Sequence, residues 1–196
     1  MKKSFNHSVT QSFNNHLWFL KKSSFILIFI LFLSPGCLVF EKIYYEISIN
    51  EDKSGSAKIY ISDITSDATD TEAFKQDTSA LFTFMLKSDE FIEDMKSEGR
   101  FITKRKLLVN GGNLDAEVEY DFNNIAGAEN IVYEDGFYYL TMDLADSVIS
   151  TNGEVIKSKT YKRILWDDKQ KLLKFAIYSG ETDAYRKLAP YYKKQE

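Results

Sequence analysis

Between Lys42 and Ser62 the apolar residues fall on every second position. Ile43, Tyr45, Ile47 and Ile49 share one face of an extended chain, while Lys42, Tyr44, Glu46 and Ser48 share the other. Asn50–Gly55 is a turn cluster, after which Ala57, Ile59 and Ile61 alternate with Lys58, Tyr60 and Ser62. Strand side chains point alternately to the two sides, so this pattern predicts an antiparallel hairpin with one buried face. A second hairpin follows. Phe101–Val109 meets Leu114–Asp121 through Asn110-Gly111-Gly112-Asn113, and Asn-Gly is a strong hairpin signal. Leu114, Ala116, Val118 and Tyr120 point inward, and Asp115, Glu117 and Glu119 point outward. Further along, Glu134–Gly136 joins two short strands, Ile131–Tyr133 and Phe137–Met142. Ser147–Lys157 holds another strand, interrupted at Asn152-Gly153. Tyr161–Trp166 and Leu172–Tyr178 flank Asp167–Gln170 as a last hairpin.

Between the first two hairpins the period changes. Phe74, Thr78, Leu81, Phe82 and Met85 fall at helical spacing, and Ser88-Asp89-Glu90 restarts a helix that Gly99 closes. The helical block therefore runs over about residues 72–98, as one kinked helix or two short ones. Asn123–Glu129 has room for one helical turn, and Glu181–Lys194 predicts a polar C-terminal helix. Turns too short for parallel crossovers join the strands. The fold class is α+β: an antiparallel sheet built from hairpins, the helical block packed on one face, and a C-terminal helix. In that arrangement the stripe Phe74, Leu81, Phe82 and Met85 faces the sheet at Ile43, Tyr45, Ile47 and Ile49.

Two scarcities exclude whole classes of chemistry. The histidines are His7 and His16, both near the N-terminus, and Cys37 is the one cysteine of the 196 residues. Beyond residue 36 there is no imidazole for a triad or zinc site, and no second thiol for a redox pair. The sequence therefore predicts no catalytic residue, no metal ligand and no cofactor. Lys2, Lys3, Lys21 and Lys22 lie in the first 36 residues, which hold no acid, so the remainder carries 21 basic against 29 acidic residues. Such a surface repels a phosphate backbone, and nucleic acid is not an expected partner.

Residues 1–36 read as a separable leader, with residues 37–196 as a single domain. Lys21-Lys22 precede Phe25–Leu33, nine consecutive large apolar residues, and Ser34-Pro35-Gly36-Cys37 follow at once. The apolar stretch falls short of the about 20 residues a membrane span needs, which leaves an uncleaved anchor as the alternative to a cleaved signal. A positive flank, a short apolar core and a small residue before the break make a secretory signal. Leu33-Ser34-Pro35-Gly36-Cys37 resembles the lipobox of bacterial lipoproteins, in which the cysteine sulfur receives diacylglycerol and a peptidase cuts just before it. That resemblance implies lipid attachment at Cys37, an acyl-anchored, palmitate-bearing protein of the cell envelope, and the membrane as a partner. Leu38 after the cysteine implies an outer membrane where the host has one.

Three stretches carry a wider resemblance: Gly36–Glu41 leading into a strand, Ile49–Gly55 as its turn, and Ser150–Gly153 followed by Trp166. Together they are similar to small lipoproteins of the LppM-like type over about residues 36–178. The resemblance implies an α+β lipoprotein with a lipid-facing cavity and supplies no catalytic residue.

Several other groups invite a functional interpretation beside a structural one. Asp63, Asp67, Asp70 and Glu72 offer hard oxygens to calcium, but lack the spacing and glycine of a calcium loop and suit a solvated helix-capping segment better. Asp167-Asp168 offers paired acid–base carboxylates, but it sits at an exposed turn and suits a turn role better. Lys104-Arg105-Lys106 offers either a headgroup contact or a charged strand edge. Twelve tyrosines, all beyond residue 43, suit strand packing or an aromatic contact surface. The expected function is that of a non-enzymatic envelope lipoprotein binding a lipid or other apolar envelope component between helix and sheet, with an opening near Lys104–Lys106. The alternative is protein–protein interaction or envelope assembly through an aromatic surface, with Phe137–Met142 as its first candidate.

Overall fold

A computed structural model describes residues 37–192. In chain order the elements are β1 (Leu38–Val39), β2 (Lys42–Ile49), β3 (Gly55–Ser62), β4 (Thr65–Ser66), α1 (Thr71–Ser79), α2 (Asp89–Ser97), β5 (Arg100–Asn110) and β6 (Asn113–Phe122). There follow β7 (Val132–Glu134), β8 (Phe137–Met142), β9 (Ser147–Thr151), β10 (Glu154–Lys157), β11 (Lys162–Asp167), β12 (Leu172–Tyr178) and β13 (Arg186–Lys187). The architecture is α+β, with three antiparallel sheets. The largest runs β5-β6-β3-β2-β12-β9, a second runs β10-β11-β8-β7, and a short one runs β1-β4-β13. The leader expected at residues 1–36 lies outside the described residues.

Period two is realised in the large sheet. Tyr45 pairs with Ile59 on one side and Phe175 on the other, and Ala57 pairs with Ile47 and Tyr120. One face therefore collects the apolar residues of β2, β3, β6 and β12. The second sheet covers part of that face, so that Ile47, Phe122, Leu173 and Phe175 meet Tyr138, Leu140, Ile164 and Trp166 in one core. Tyr45 and Phe175 stack with ring centroids 4.4 Å apart, and Trp166 lies 5.8 Å from Phe175.

The helices cover the rest of the same face. Phe74 and Leu81 bury against Leu107, Leu114, Ala116 and Leu188. The Asp70 carboxylate starts α1 by accepting the Ala73 N–H at 2.8 Å, and the Ser88 hydroxyl starts α2 by accepting that of Glu90 at 3.0 Å. Between them the chain passes through a π-helical segment, Ala80–Met85. Arg105, in the middle of β5, reaches the carbonyls of Met85 (2.9 Å) and Ser88 (3.0 Å), where a cation offsets the negative end of the first helical stretch.

Four expectations need correction. The helical stripe does share the apolar sheet face, but sits at Leu107, Leu114 and Ala116, because the second sheet occupies the Tyr45–Ile49 region. The single sheet is three sheets. Tyr161–Trp166 and Leu172–Tyr178 do not form a hairpin: β11 pairs with β8 and β10, whereas β12 pairs with β2 and β9. Their apolar residues face each other across the core. No C-terminal helix forms: in Glu181–Lys194, Arg186–Lys187 pairs with β4 and a 3₁₀ turn at Ala189–Tyr191 follows, to the last described residue, Tyr192. Pro190 has no N–H to donate to a helical ladder, and the ladder to β4 recruits the backbone before it.

The opposite face of the large sheet is polar. Lys104 Nζ lies 2.6 Å from Glu117 and 2.9 Å from Glu119, Lys106 Nζ 2.7 Å from Glu117, and Lys58 Nζ 3.2 Å from it. Lys104 first, then Lys106, hold the Glu117 carboxyl well below the usual carboxylate range. A depressed carboxyl stabilises the fold above its unfolded pKa of about 4.3 and loses that contribution as the pH falls. Urea midpoints at neutral pH and near pH 3 should therefore differ more in the wild type than in Glu117→Gln. Equal drops would show that the lysines do not hold this carboxylate.

Candidate functional site

Two surfaces stand out once the buried faces are assigned. The first is the outward face of the β10-β11-β8-β7 sheet. Registers place Leu165 opposite Tyr139 and Tyr139 opposite Val132, while Phe137 lies between Asp167 and Glu134, and Ile156 opposite Arg163. Val132, Phe137 and Ile156 are exposed large apolar residues. The Arg163 guanidinium lies 4.5 Å from the ring centres of both Tyr139 and Tyr161. An apolar and aromatic centre with an arginine, rimmed by Glu134, Glu154 and Asp167, has the composition of a protein contact surface.

The second is an open cleft of about 400 Å³ on the polar face of the large sheet. Glu41, Lys42 and Tyr44 line it where β2 begins, and Tyr60, Ser62 and Asp63 where β3 ends. The β5–β6 hairpin adds Asn110, Asn113 and Asp115. Tyr44 and Tyr60 are register partners with centroids 6.0 Å apart. Asp115, buried beneath them, accepts the Tyr60 hydroxyl at 2.5 Å, the Asp63 N–H at 2.9 Å and an Asn110 N–H at 3.5 Å. That bond to the carboxylate, with desolvation behind it, pushes the Tyr60 phenol up to about 12. Asp63 takes a left-handed backbone (φ +50°) and is 4% exposed. Its Oδ2 receives Thr182 and Lys187, the latter at 2.7 Å, while Oδ1 is buried with no hydrogen-bond partner among the described residues.

The residues singled out from sequence go to separate tasks. Asp70 caps α1, Asp63 pairs with Lys187, and Asp67 accepts the Cys37 N–H at 2.6 Å. The structure does not gather them with Glu72, and among the described residues no acidic, histidine or cysteine group has the arrangement of a metal site. Asp167 holds its own turn through the Lys169 N–H. Lys104 and Lys106 face the polar side of the sheet, away from the helices, so the expected basic opening beside the helix–sheet interface does not form there. Cys37 is exposed and free; partial desolvation first, then Asp67, raises its thiol pKa.

No local sequence pattern points to the cleft, and Lys53 stands out in the sequence only as the residue after Asp52 where the resembled lipoproteins have glycine. Lys53 adopts φ +68°, a conformation that glycine takes more readily. It sends its ammonium to the Tyr138 hydroxyl (2.8 Å) and over the Tyr133 ring (3.8 Å), tying the first hairpin to the second sheet. Comparison with protein-family models, with curated proteins and with solved structures finds no match for this chain.

Proposed function

We propose that this chain is a lipid-anchored envelope protein, tethered through Cys37, that acts without catalysis by docking on another envelope protein. The observation that carries the docking is the outward face of the β10-β11-β8-β7 sheet, where Val132, Phe137 and Ile156 stand exposed beside Tyr139, Leu165 and Arg163. Tyrosine and arginine dominate the energetics of contact surfaces, and an acidic rim keeps such a patch soluble until its partner arrives. A lipid carrier calls for an apolar chamber between helix and sheet. Phe74, Leu81, Leu107, Leu114, Ala116 and Leu188 are buried against one another at that interface, which favours docking over carriage. Cys37 leads directly into β1, and its backbone is held to Asp67 at both N–H and carbonyl, so an anchor there would hold the domain close to the bilayer.

The test is photo-crosslinking in intact cells from position 139, with position 58 on the polar sheet face as control. A discrete adduct from 139, lost in Phe137→Asp and absent from 58, is expected. Indistinguishable patterns from the two positions would overturn the docking reading. Palmitate-analogue labelling checks the anchor separately: the wild type should take the label and Cys37→Ser should not, whereas label persisting in Cys37→Ser would overturn the tether.

A further inference from the structure

We propose that the cleft between the start of β2, the end of β3 and the β5–β6 hairpin is a binding site for a neutral, polyhydroxylated ligand, a saccharide. Its charges are already balanced in place. The Lys42 ammonium pairs with Glu41, and Lys187 lies 2.7 Å from Asp63. The Asp115 carboxylate is occupied by Tyr60, the Asp63 N–H and Asn110. A metal or ammonium ligand therefore meets carboxylates that already have partners: Glu41 has Lys42, Asp115 has three donors, and Asp63 is engaged through Oδ2 with its Oδ1 closed off from solvent. An anion meets a lysine already paired.

Two neutral groups of the cleft stay unengaged. The Asn113 amide and the Tyr44 hydroxyl make no hydrogen bond among the described residues, and both line the cleft. An unengaged amide offers two donors and an acceptor in one plane, which suits adjacent hydroxyls of a sugar ring. The Tyr44 and Tyr60 rings are neighbours tilted 52° to one another, with Tyr44 40% exposed. An aromatic face with negative quadrupole charge attracts the weakly positive C–H face of a pyranose, and water-exposed aromatic carbon gains by being covered. A volume of about 400 Å³ lies in the range of small-molecule sites. Tyr60 is fixed by its short bond to Asp115, so the aromatic wall is set before a ligand arrives.

The outward face of the second sheet takes no part in this site, so the saccharide and docking proposals stand or fall separately. Saturation-transfer NMR on the full chain in nanodiscs tests it with cellobiose, maltose and N,N′-diacetylchitobiose at millimolar concentration. Tetramethylammonium and inorganic phosphate serve as charged comparators. Transfer to the ring C–H protons of at least one of these sugars is expected, with affinity weakened about tenfold or more in Tyr44→Ala and in Asn113→Ala. Phe137→Asp should leave it unchanged. Both cleft side chains are partly exposed, and an unchanged thermal transition checks that the variants fold. No transfer to any of the three sugars would overturn the proposal. So would transfer that neither cleft variant weakens, or stronger binding of either charged comparator that those variants abolish.

Discussion

Replacing Trp166 by alanine is expected to lower the unfolding free energy by about 3–5 kcal/mol, the largest loss from a single truncation in this core. Trp166 is 1% exposed and lies where the two larger sheets face each other, against Phe175. Its indole N–H donates to Asn152 Oδ1 at 2.9 Å, and the same oxygen accepts the Lys174 N–H at 2.8 Å. Asn152 thus keeps a partner when the indole is gone, and the loss comes from the cavity and the missing apolar contacts rather than from a stranded acceptor. A domain of this size has about 5–15 kcal/mol in hand, so the variant should remain folded in buffer but unfold at a much lower urea concentration. Circular dichroism in urea measures this, since the substitution removes the tryptophan whose fluorescence reports on this core. A loss below about 1 kcal/mol would show that the sheets do not close over this ring.

Trp166 also marks where sequence reading stopped short. Alternation along Tyr161–Trp166 and Leu172–Tyr178 identifies the buried side of each strand, and Ile164, Trp166, Leu173 and Phe175 are indeed buried. Period two cannot tell a hydrogen-bonded neighbour from a strand facing it across a core, because both arrangements bury the same alternate residues. The turn between them has the pattern of a hairpin turn and is a crossing between sheets. Asn152-Gly153 makes a similar crossing between β9 and β10, and there the break in the pattern was legible. The first two hairpins are legible as strands and partners, since a turn signal fixes the partner, but the register shift in β5 between Ile102 and Lys104 carries no such signal.

Individual residues of the cleft were legible, but not their gathering. Once Asn50–Gly55 sets the first hairpin, Tyr44 must oppose Tyr60 on the outward face. The alternation puts Asp115 on the polar face of the sheet, where it lies although buried, and Asn110 and Asn113 in a turn. What brings them to Tyr60 is the β3–β6 ladder, which pairs Tyr60 with Glu117 and Ile61 with Ala116 across an intervening helical block. No local pattern encodes a pairing at that separation. The C-terminal segment shows the same limit, because Arg186–Lys187 becomes a strand through β4, far away in sequence.

Gly55→Ala should prove as damaging as a core truncation, at or above the upper end of the about 1–3 kcal/mol usual for overpacking. The residue ends the Asn50–Gly55 cluster, and a turn glycine is ordinarily there for its backbone freedom. In this hairpin the left-handed position falls to Lys53 instead. Gly55 is needed for space: a Cβ there would lie 2.0 Å from the Ser48 carbonyl oxygen and 2.7 Å from the Phe122 ring. The ring can shift only into a packed core, and the carbonyl belongs to the β2–β3 ladder, so one methyl forces either a lost pairing or a displaced Phe122. Gly180→Ala is the matched control, because its Cβ would meet nothing within 4 Å and its φ is not left-handed. That change should leave stability level or raise it by about 0.4–1 kcal/mol by restricting the unfolded chain. Urea midpoints for the two variants separate the causes. A large loss confined to Gly55→Ala locates the requirement in close packing between hairpin and core, whereas similar small shifts in both would mean that the β2–β3 turn yields freely and does not set the register on which the Tyr44–Tyr60 pair depends.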